Sequence, residues 1–249
     1  MADLQLQTLR FDSLPSTNLE AAQRARAGAA EGLCVVASEQ TAGRGRLGRQ
    51  WASPRNAGIY CSILLRPQFD QNLWPLITLM SAVVVHEALL TACNLRTDIK
   101  WPNDILHDDK KLCGILAEIA ETPSGRAVIV GIGINLTNES FPPELAATAT
   151  SVSLATGSYA NLEDVLIGLQ QCFVAWYRRL NQSTGARDII RAWSEHSSYA
   201  NGKEIMISDA DTEFCGTTRG LTVDGALKVE TETGETKIVR AGDVSLRSR

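Results

Sequence analysis

Apolar residues recur at helical spacing in four stretches of the chain, with short strand-like runs between them. Pro75 opens the longest apolar stretch, where Leu76, Leu79, Met80, Val83 and Val84 share one face; this predicts a helix ending near Asn94. After Asn161, the series Leu162, Val165, Leu166, Leu169, Phe173, Trp176 and Leu180 predicts a second long helix, and a shorter one follows over 187–196. Near the start, Thr17 and Glu20 have capping-box spacing ahead of an Ala-rich stretch that stops at Gly28, which predicts a helix of about 10 residues from Asn18.

Strands are expected over 33–38, 59–66 and 98–101, followed by a hairpin of 111–121 and 127–136 around Thr122-Pro123-Ser124-Gly125. The order mixes helices and strands without the regular alternation of a doubly wound sheet, so the class is α+β, a mixed sheet flanked by helices. Past Tyr199 the character changes. Short runs over 204–207, 213–218, 226–230, 236–239 and 244–246 are separated by Ser208-Asp209-Ala210-Asp211, Asp224-Gly225 and Thr233-Gly234-Glu235, the pattern of a small all-β barrel. The chain is therefore read as two domains, 1–198 and 199–249.

Composition narrows the function classes. With 249 residues, 44% of them hydrophobic, and a formal charge of -4, the chain can build a core and is not a coat for a polyanion. Positive charge is local instead: 39–55 carries Arg44, Arg46, Arg49 and Arg55 against the single acid Glu39, which favours a small anionic ligand over DNA. Six cysteines stand far apart with no Cys-x-x-Cys pair, so buried free thiols are expected and a structural zinc site is not. The N-terminal residues lack a secretory pattern, and the apolar run over 76–90 is interrupted by Thr78, Ser81, His86 and Glu87; the expectation is a cytoplasmic protein with no membrane span.

The densest chemistry lies in Gly43-Arg44-Gly45-Arg46-Leu47-Gly48-Arg49, followed by Trp51. Glycine lets backbone approach a ligand and arginine brings a planar fork of donors for carboxylate or phosphate oxygens. Gly43, Gly45 and Gly48 also satisfy G-x-G-x-x-G, but that phosphate site needs a helix directly after the glycines, and Trp51-Ala52-Ser53-Pro54-Arg55-Asn56-Ala57-Gly58 cannot form one. A solvated arginine-rich turn is the plain alternative for the cluster alone. Two further features argue against it. Lys100-Trp101-Pro102-Asn103-Asp104 ends a strand in a turn carrying a cation, an amide and a carboxylate, although an ordinary surface turn suits Pro-Asn-Asp equally. Lys110-Lys111-Leu112-Cys113-Gly114-Ile115-Leu116-Ala117-Glu118 and its hairpin partner Gly131-Ile132-Gly133-Ile134-Asn135 are both thinned by glycine, which bulges would explain but a ligand channel explains better.

Taken with Ser16-Thr17-Asn18 and the terminal Gly242-Asp243-Val244-Ser245-Leu246-Arg247, these elements resemble in order and spacing the biotin-protein ligases, over nearly the whole chain. The resemblance implies a catalytic domain of the class II aminoacyl-tRNA synthetase/biotin ligase type with a C-terminal SH3-like barrel. It implies an ATP-dependent ligase that makes biotinyl-5'-AMP from biotin and MgATP, then passes biotin to a lysine of a biotin carboxyl carrier protein domain. Lys111, Arg46 and Lys100 would be the catalytic cations, with Lys111 at the reacting carboxylate and phosphate oxygens. Ser16, Thr17 and Gln40 would bind the biotin ring end, Arg44 and Arg46 would close over the carboxylate and α-phosphate, and Asn18, Gly45 and Arg49 would be further binding residues. Gly43, Gly114 and Gly131 would line the biotin slot, Trp51 and Asn103 the nucleotide side, and Asn135 the adenine end.

Asp104 would assist either a metal or the incoming lysine; the metal ligands themselves stay unassigned. The resemblance further implies dimerisation through the central sheet, and a barrel that closes over ATP or docks the carrier. Some members begin with a DNA-binding domain, whereas here the catalytic sequence starts within about 10 residues of Met1, so no operator binding is expected. A lipoate or octanoate ligase of the same fold and a non-catalytic biotin-binding module are the competing readings.

Overall fold

The structure is a computed structural model and describes residues 4–209, 212–240 and 242–246. The predicted turn at 208–211 lies partly outside the described residues, as does Arg247. In chain order the elements of the larger unit are β1 (Gln7–Phe11), α1 (Thr17–Arg26), β2 (Leu33–Ala37), β3 (Gly58–Leu65), α2 (Pro75–Cys93), β4 (Asp98–Lys100), β5 (Asp104–His107), β6 (Lys110–Thr122), β7 (Gly125–Asn135), α3 (Val152–Thr156), α4 (Leu162–Leu180) and α5 (Gly185–Glu195). Seven strands form one mixed sheet in the order β1-β2-β3-β7-β6-β5-β4, parallel between β1 and β2 and antiparallel elsewhere.

Strand alternation sorts the sheet into two faces. Ile63, Leu65, Val128 and Val130 pack with α2, α4 and α5 on one face, while Val35, Leu64 and Ile129 meet Ala21 and Ala25 of α1 on the other. Alanine at both contact positions lets α1 lie close to the strands, leaving the rest of that face for a site.

Several expectations need correction. Helix α1 starts at Thr17 with Ser16 as N-cap and has no side-chain cap, so the capping box does not form; Glu20 instead holds Arg24 at 2.7 Å. Strands β1 and β5 and helix α3 were not expected: β1 is a largely exposed edge without an apolar run, and β5 and α3 are only 4 and 5 residues long. The hairpin β6–β7 is tighter than expected, since Thr122 already pairs with Gly125 around Pro123-Ser124.

Helix α2 is buried nearly all round rather than on one face, because the sheet lies on one side and α4 and α5 on others. The stretch Gln71–Cys93 is in fact long and apolar enough to cross a membrane by length and composition, contrary to the sequence reading, with 67% of its apolar window buried inside the protein. Ser81 does not interrupt it, since its hydroxyl donates to Ile77 O at 2.7 Å and so is satisfied within the helix.

His86, also on α2, is buried, stacks on His196 with ring centroids 4.1 Å apart, and sits 2.9 Å from Thr97 Oγ1 through Nδ1. Burial, reinforced by His196, pulls its pKa from 6.5 to about 4. Between those values the unfolded chain binds a proton that the native one refuses, so stability falls as pH drops below 6.5 towards 4. In urea melts, the stability advantage of wild type over His86→Gln is expected to shrink from pH 7 to pH 5; an advantage independent of pH refutes this role.

The smaller unit has β8 (Asn201–Asp209), β9 (Thr212–Leu221), β10 (Leu227–Thr231), β11 (Thr236–Val239) and β12 (Asp243–Leu246), an antiparallel sheet in the order β11-β10-β9-β8-β12, in keeping with a small SH3-like unit. Its Ile205, Ile207, Leu227 and Val229 join the same apolar cluster as α2 and α4. The buried Trp101 indole donates to Gly225 O at 3.1 Å across the junction. Trp101→Phe leaves that carbonyl unpaired and is expected to cost about 1–3 kcal/mol, read as a lower urea midpoint.

All six cysteines are free, with Cys34, Cys61 and Cys113 buried and the other three half-buried. Among the described residues no group of three His, Cys, Asp or Glu side chains is placed to hold a metal.

Candidate functional site

The site occupies the α1 face of the sheet, where β7 and β6 carry their glycines. Gly133 pairs with Gly114, and Gly131 pairs with both Leu116 and Ser62 of β3, so the alternation that points Ile129 at α1 also turns these small residues to the site. Above them opens a cavity of about 450 Å³, and every sequence-predicted site residue except Gly43 lines it. Gly43 lies at the base of the Gly/Arg loop, where a Cβ would strike the returning backbone at Trp51 and the Ser53 hydroxyl.

The glycine-thinned strands are not an empty channel. A Cβ on Gly131 would collide with the Asn18 side chain, and one on Gly133 would stand 2.5 Å from Trp51 Nε1; Gly114 faces the same indole. Glycine is required here because two protein side chains lie flat on the sheet, forming the inner wall of the cavity.

One end of the cavity is polar and buried. Thr17 N donates to Gln40 Oε1 at 2.8 Å, and Thr17 Oγ1 reaches the same oxygen at 3.1 Å. Ser62 Oγ donates to Asn18 Oδ1 at 2.6 Å and lies 2.7 Å from Thr17 Oγ1. Gln40 Nε2 donates to Ser53 Oγ at 2.8 Å. These side chains carry no net charge and pair with one another, so this end suits a neutral polar group rather than an anion.

The other end carries the cations, and Lys111 and the three loop arginines are each held by a counter-charge or amide from a different element. Lys111 Nζ lies 2.7 Å from Asp104 Oδ1 and 5.5 Å from the Trp51 ring. Its backbone is fixed on both sides, donating to Thr148 O and accepting from Thr150 N. Asn135, buried at the end of β7, secures the same segment by donating to Thr150 O at 3.0 Å. Arg46 Nη1 donates to Asn103 Oδ1 at 2.9 Å and stands 4.0 Å from Asp243 Oδ1. Arg49 pairs with Asp243, and Arg44 pairs with Glu118. Burial lowers the pKa of Lys100, with Asp104 opposing that pull.

The loop that carries the arginines is itself closed. Gly45 N donates to Arg49 O at 2.7 Å and Trp51 N to Gly43 O at 3.0 Å, while Leu47 turns through φ 54° and stays exposed. Glycine at 48, with φ 74°, completes the reversal.

Sequence reasoning assigned no role to three residues that the fold brings in, Ser62, Glu118 and Asp243, and it read Gly133 as thinning a ligand channel where it makes room for Trp51. Ser62 is the one serine in the apolar run of β3, and that isolation was its signal. Glu118 and Asp243 sit within recognisable motifs, but their partners Arg44 and Arg49 are 74 and 194 residues away.

Comparison with known proteins places this geometry in a family. Residues 5–135 match the Biotin/lipoate A/B protein ligase family, and residues 202–247 match the Biotin protein ligase C terminal domain. The bifunctional ligase/repressor BirA of Bacillus subtilis is 39% identical over 238 residues, covering 94% of this chain and 72% of that relative. The biotin--[acetyl-CoA-carboxylase] ligase of Paracoccus denitrificans is 34% identical, covering 92% of this chain and 96% of its own length. Among solved structures, the biotin protein ligase of Aquifex aeolicus in complex with biotin and ATP superposes with a TM-score of 0.85 at 29% identity, covering 98% of this chain and 99% of that one. Matched over both of its units, the chain belongs to the biotin/lipoate A/B protein ligase family, among its biotin protein ligases.

Proposed function

We propose that this cavity activates biotin with MgATP and delivers it to a lysine of a biotin carboxyl carrier protein domain. The observation that carries the reading is the gathering of Arg44, Arg46, Lys100 and Lys111 around one cavity whose far end is neutral and polar. Joining a carboxylate to a triphosphate means bringing two anions together, and fixed cations lower that barrier more than binding a single carboxylate would require. A volume of about 450 Å³ suits a ligand of this size.

In the first step the biotin carboxylate attacks the α-phosphorus of ATP, and pyrophosphate leaves with the electron pair of the broken P–O bond. Lys111 and Arg46 stabilise the charge that develops on the carboxylate and α-phosphate oxygens, Arg44 and Arg49 close the loop over them, and Lys100 attracts the leaving phosphates. Thr17, Asn18 and Gln40, with Ser16 beside them, hold the ring end. Trp51 and Asn103 flank the nucleotide, and Asn135 its adenine end. In the second step the neutral amine of the carrier lysine attacks the carbonyl carbon of the mixed anhydride, the acyl C–O bond breaks with its electron pair on AMP, and the nitrogen releases its proton to solvent, so the enzyme needs no covalent nucleophile. A closed loop keeps water from the adenylate meanwhile.

Magnesium fits as a passenger on the triphosphate, because the nearby acids are engaged with cations: Asp104 with Lys111, and Asp243 with Arg49. In this reading the chain acts in the cytoplasm, divides at 198/199 and dimerises through its central sheet. A monomeric mass under all ligand conditions counts against the dimer.

The test is pyrophosphate exchange into ATP with biotin, with lipoate and with no acid, followed by acyl transfer to a carrier domain. Exchange that requires biotin supports the reading. Exchange that requires lipoate favours a ligase of the other branch, and biotin binding without exchange favours a binding module.

A further inference from the structure

We infer that Glu118 is a positioning residue that locks the arginine loop to the floor of the ring-end pocket. One of its carboxylate oxygens, Oε2, takes both Arg44 from the loop and Asn18 Nδ2 from the start of α1, the latter at 2.7 Å. The orientation of the Asn18 amide follows from this. Its NH₂ must face two acceptors, Glu118 Oε2 and Leu116 O at 3.2 Å, so its oxygen faces the Ser62 hydroxyl.

From Ser62 the contacts continue through Thr17, Gln40 and Ser53 to the backbone oxygen of Trp51, which Ser53 Oγ reaches at 3.2 Å. The path therefore leaves the loop at Arg44, crosses the floor of the pocket and returns to the chain just after the loop ends. Glu118 supplies its one ionic link. The remaining links are neutral hydrogen bonds, which by themselves would fix the floor but not the arginine. Glu118 lies against the outer side of the loop, beside Gly43, Leu47 and Gly48, where it does not compete for the cavity.

Loop closure and ring-end order are thus one coupled arrangement: a ligand that settles Asn18 strengthens the Glu118 anchor, and the anchor in turn holds Arg44 at the rim. This inference rests on the reading of the cavity as a biotin-activating site, but its first test does not.

Trypsin cuts after accessible arginines, so in the ligand-free protein Glu118→Ala is expected to raise cleavage within 43–49 about three- to tenfold, the range of a half-exposed ion pair within a network. Glu118→Gln keeps an acceptor for Asn18 but loses the charge, so it should fall between wild type and Glu118→Ala; it also replaces the alanine variant if that one does not fold. In turnover, the loss falls on KM for biotin and on retention of the adenylate, seen as labelling of free amines, more than on kcat. Unchanged loop cleavage in both variants overturns the inference. So does faster cleavage accompanied by a loss in kcat alone. If wild type shows no biotin-dependent exchange, the functional reading fails, and the cleavage rates still decide the role of Glu118.

Discussion

Lys111→Ala is expected to lower the rate of biotin-dependent pyrophosphate exchange by about 10²–10³-fold, the size of effect seen when one preorganised donor is removed from a site of developing charge. The ammonium is paired with Asp104, and the Lys111 backbone that carries it is fixed by bonds to Thr148 and Thr150, so its position does not depend on a ligand arriving. With a side chain 36% exposed, it adds little to stability, and the thermal midpoint should scarcely move. The loss should therefore appear in the chemical step of single-turnover experiments rather than in the amount of folded protein. Arg46→Ala should act in the same direction, since Arg46 reaches the same end of the cavity from the loop and is held there by Asn103. Near-normal adenylation in both variants would defeat the assignment.

The second large effect comes from the floor. Gly133→Ala places a methyl group 2.5 Å from Trp51 Nε1 and 2.6 and 3.0 Å from the neighbouring ring carbons, so the indole must leave its place. Overpacking of this kind costs about 1–3 kcal/mol of stability. Displacing Trp51 also removes the aromatic face beside Lys111, and activity should fall by at least about tenfold through loss of positioning. Gly168→Ala is the control. At that position, inside α4, an added Cβ would meet nothing within 4 Å, and the change should stabilise by about 0.5–1 kcal/mol through helix propensity. Equal behaviour of the two variants would show that glycine at 133 is dispensable.

The legibility of this chain differed between elements for identifiable reasons. Helices α2 and α4 were readable because a core-facing stripe writes a long period into the sequence, and Pro75 and Asn161 mark their starts; the side chain of Asn161 accepts from the backbone N–H groups of Glu163 and Asp164. The full burial of α2 was not readable, since a one-sided stripe and an enclosed helix differ only in what packs on the far side. Strand β1 escaped because an exposed edge needs no apolar alternation, and β5 because its four residues are too few to display any. The Thr17–Glu20 spacing suggested a capping box, but the Thr17 hydroxyl is drawn into the pocket by Gln40 and Ser62, contacts across 23 and 45 residues.

The sequence alone pointed to the kind of ligand: three arginines spaced by glycines, lysines at the ends of two strands, and glycines in facing strands mark a site for a small anion. Their order along the chain also sufficed to suggest the family. Tertiary structure decided how those residues are held. That Arg44 answers to Glu118, Arg49 to Asp243 and Lys111 to Asp104, and that glycines 131 and 133 make room for Asn18 and Trp51, depends on strand register and loop closure. The physical reason is one of range. Residue type and local spacing set propensity and reactivity, whereas pairing of charges and close approach of side chains are set by distances between segments far apart in the chain, which only the folded backbone fixes.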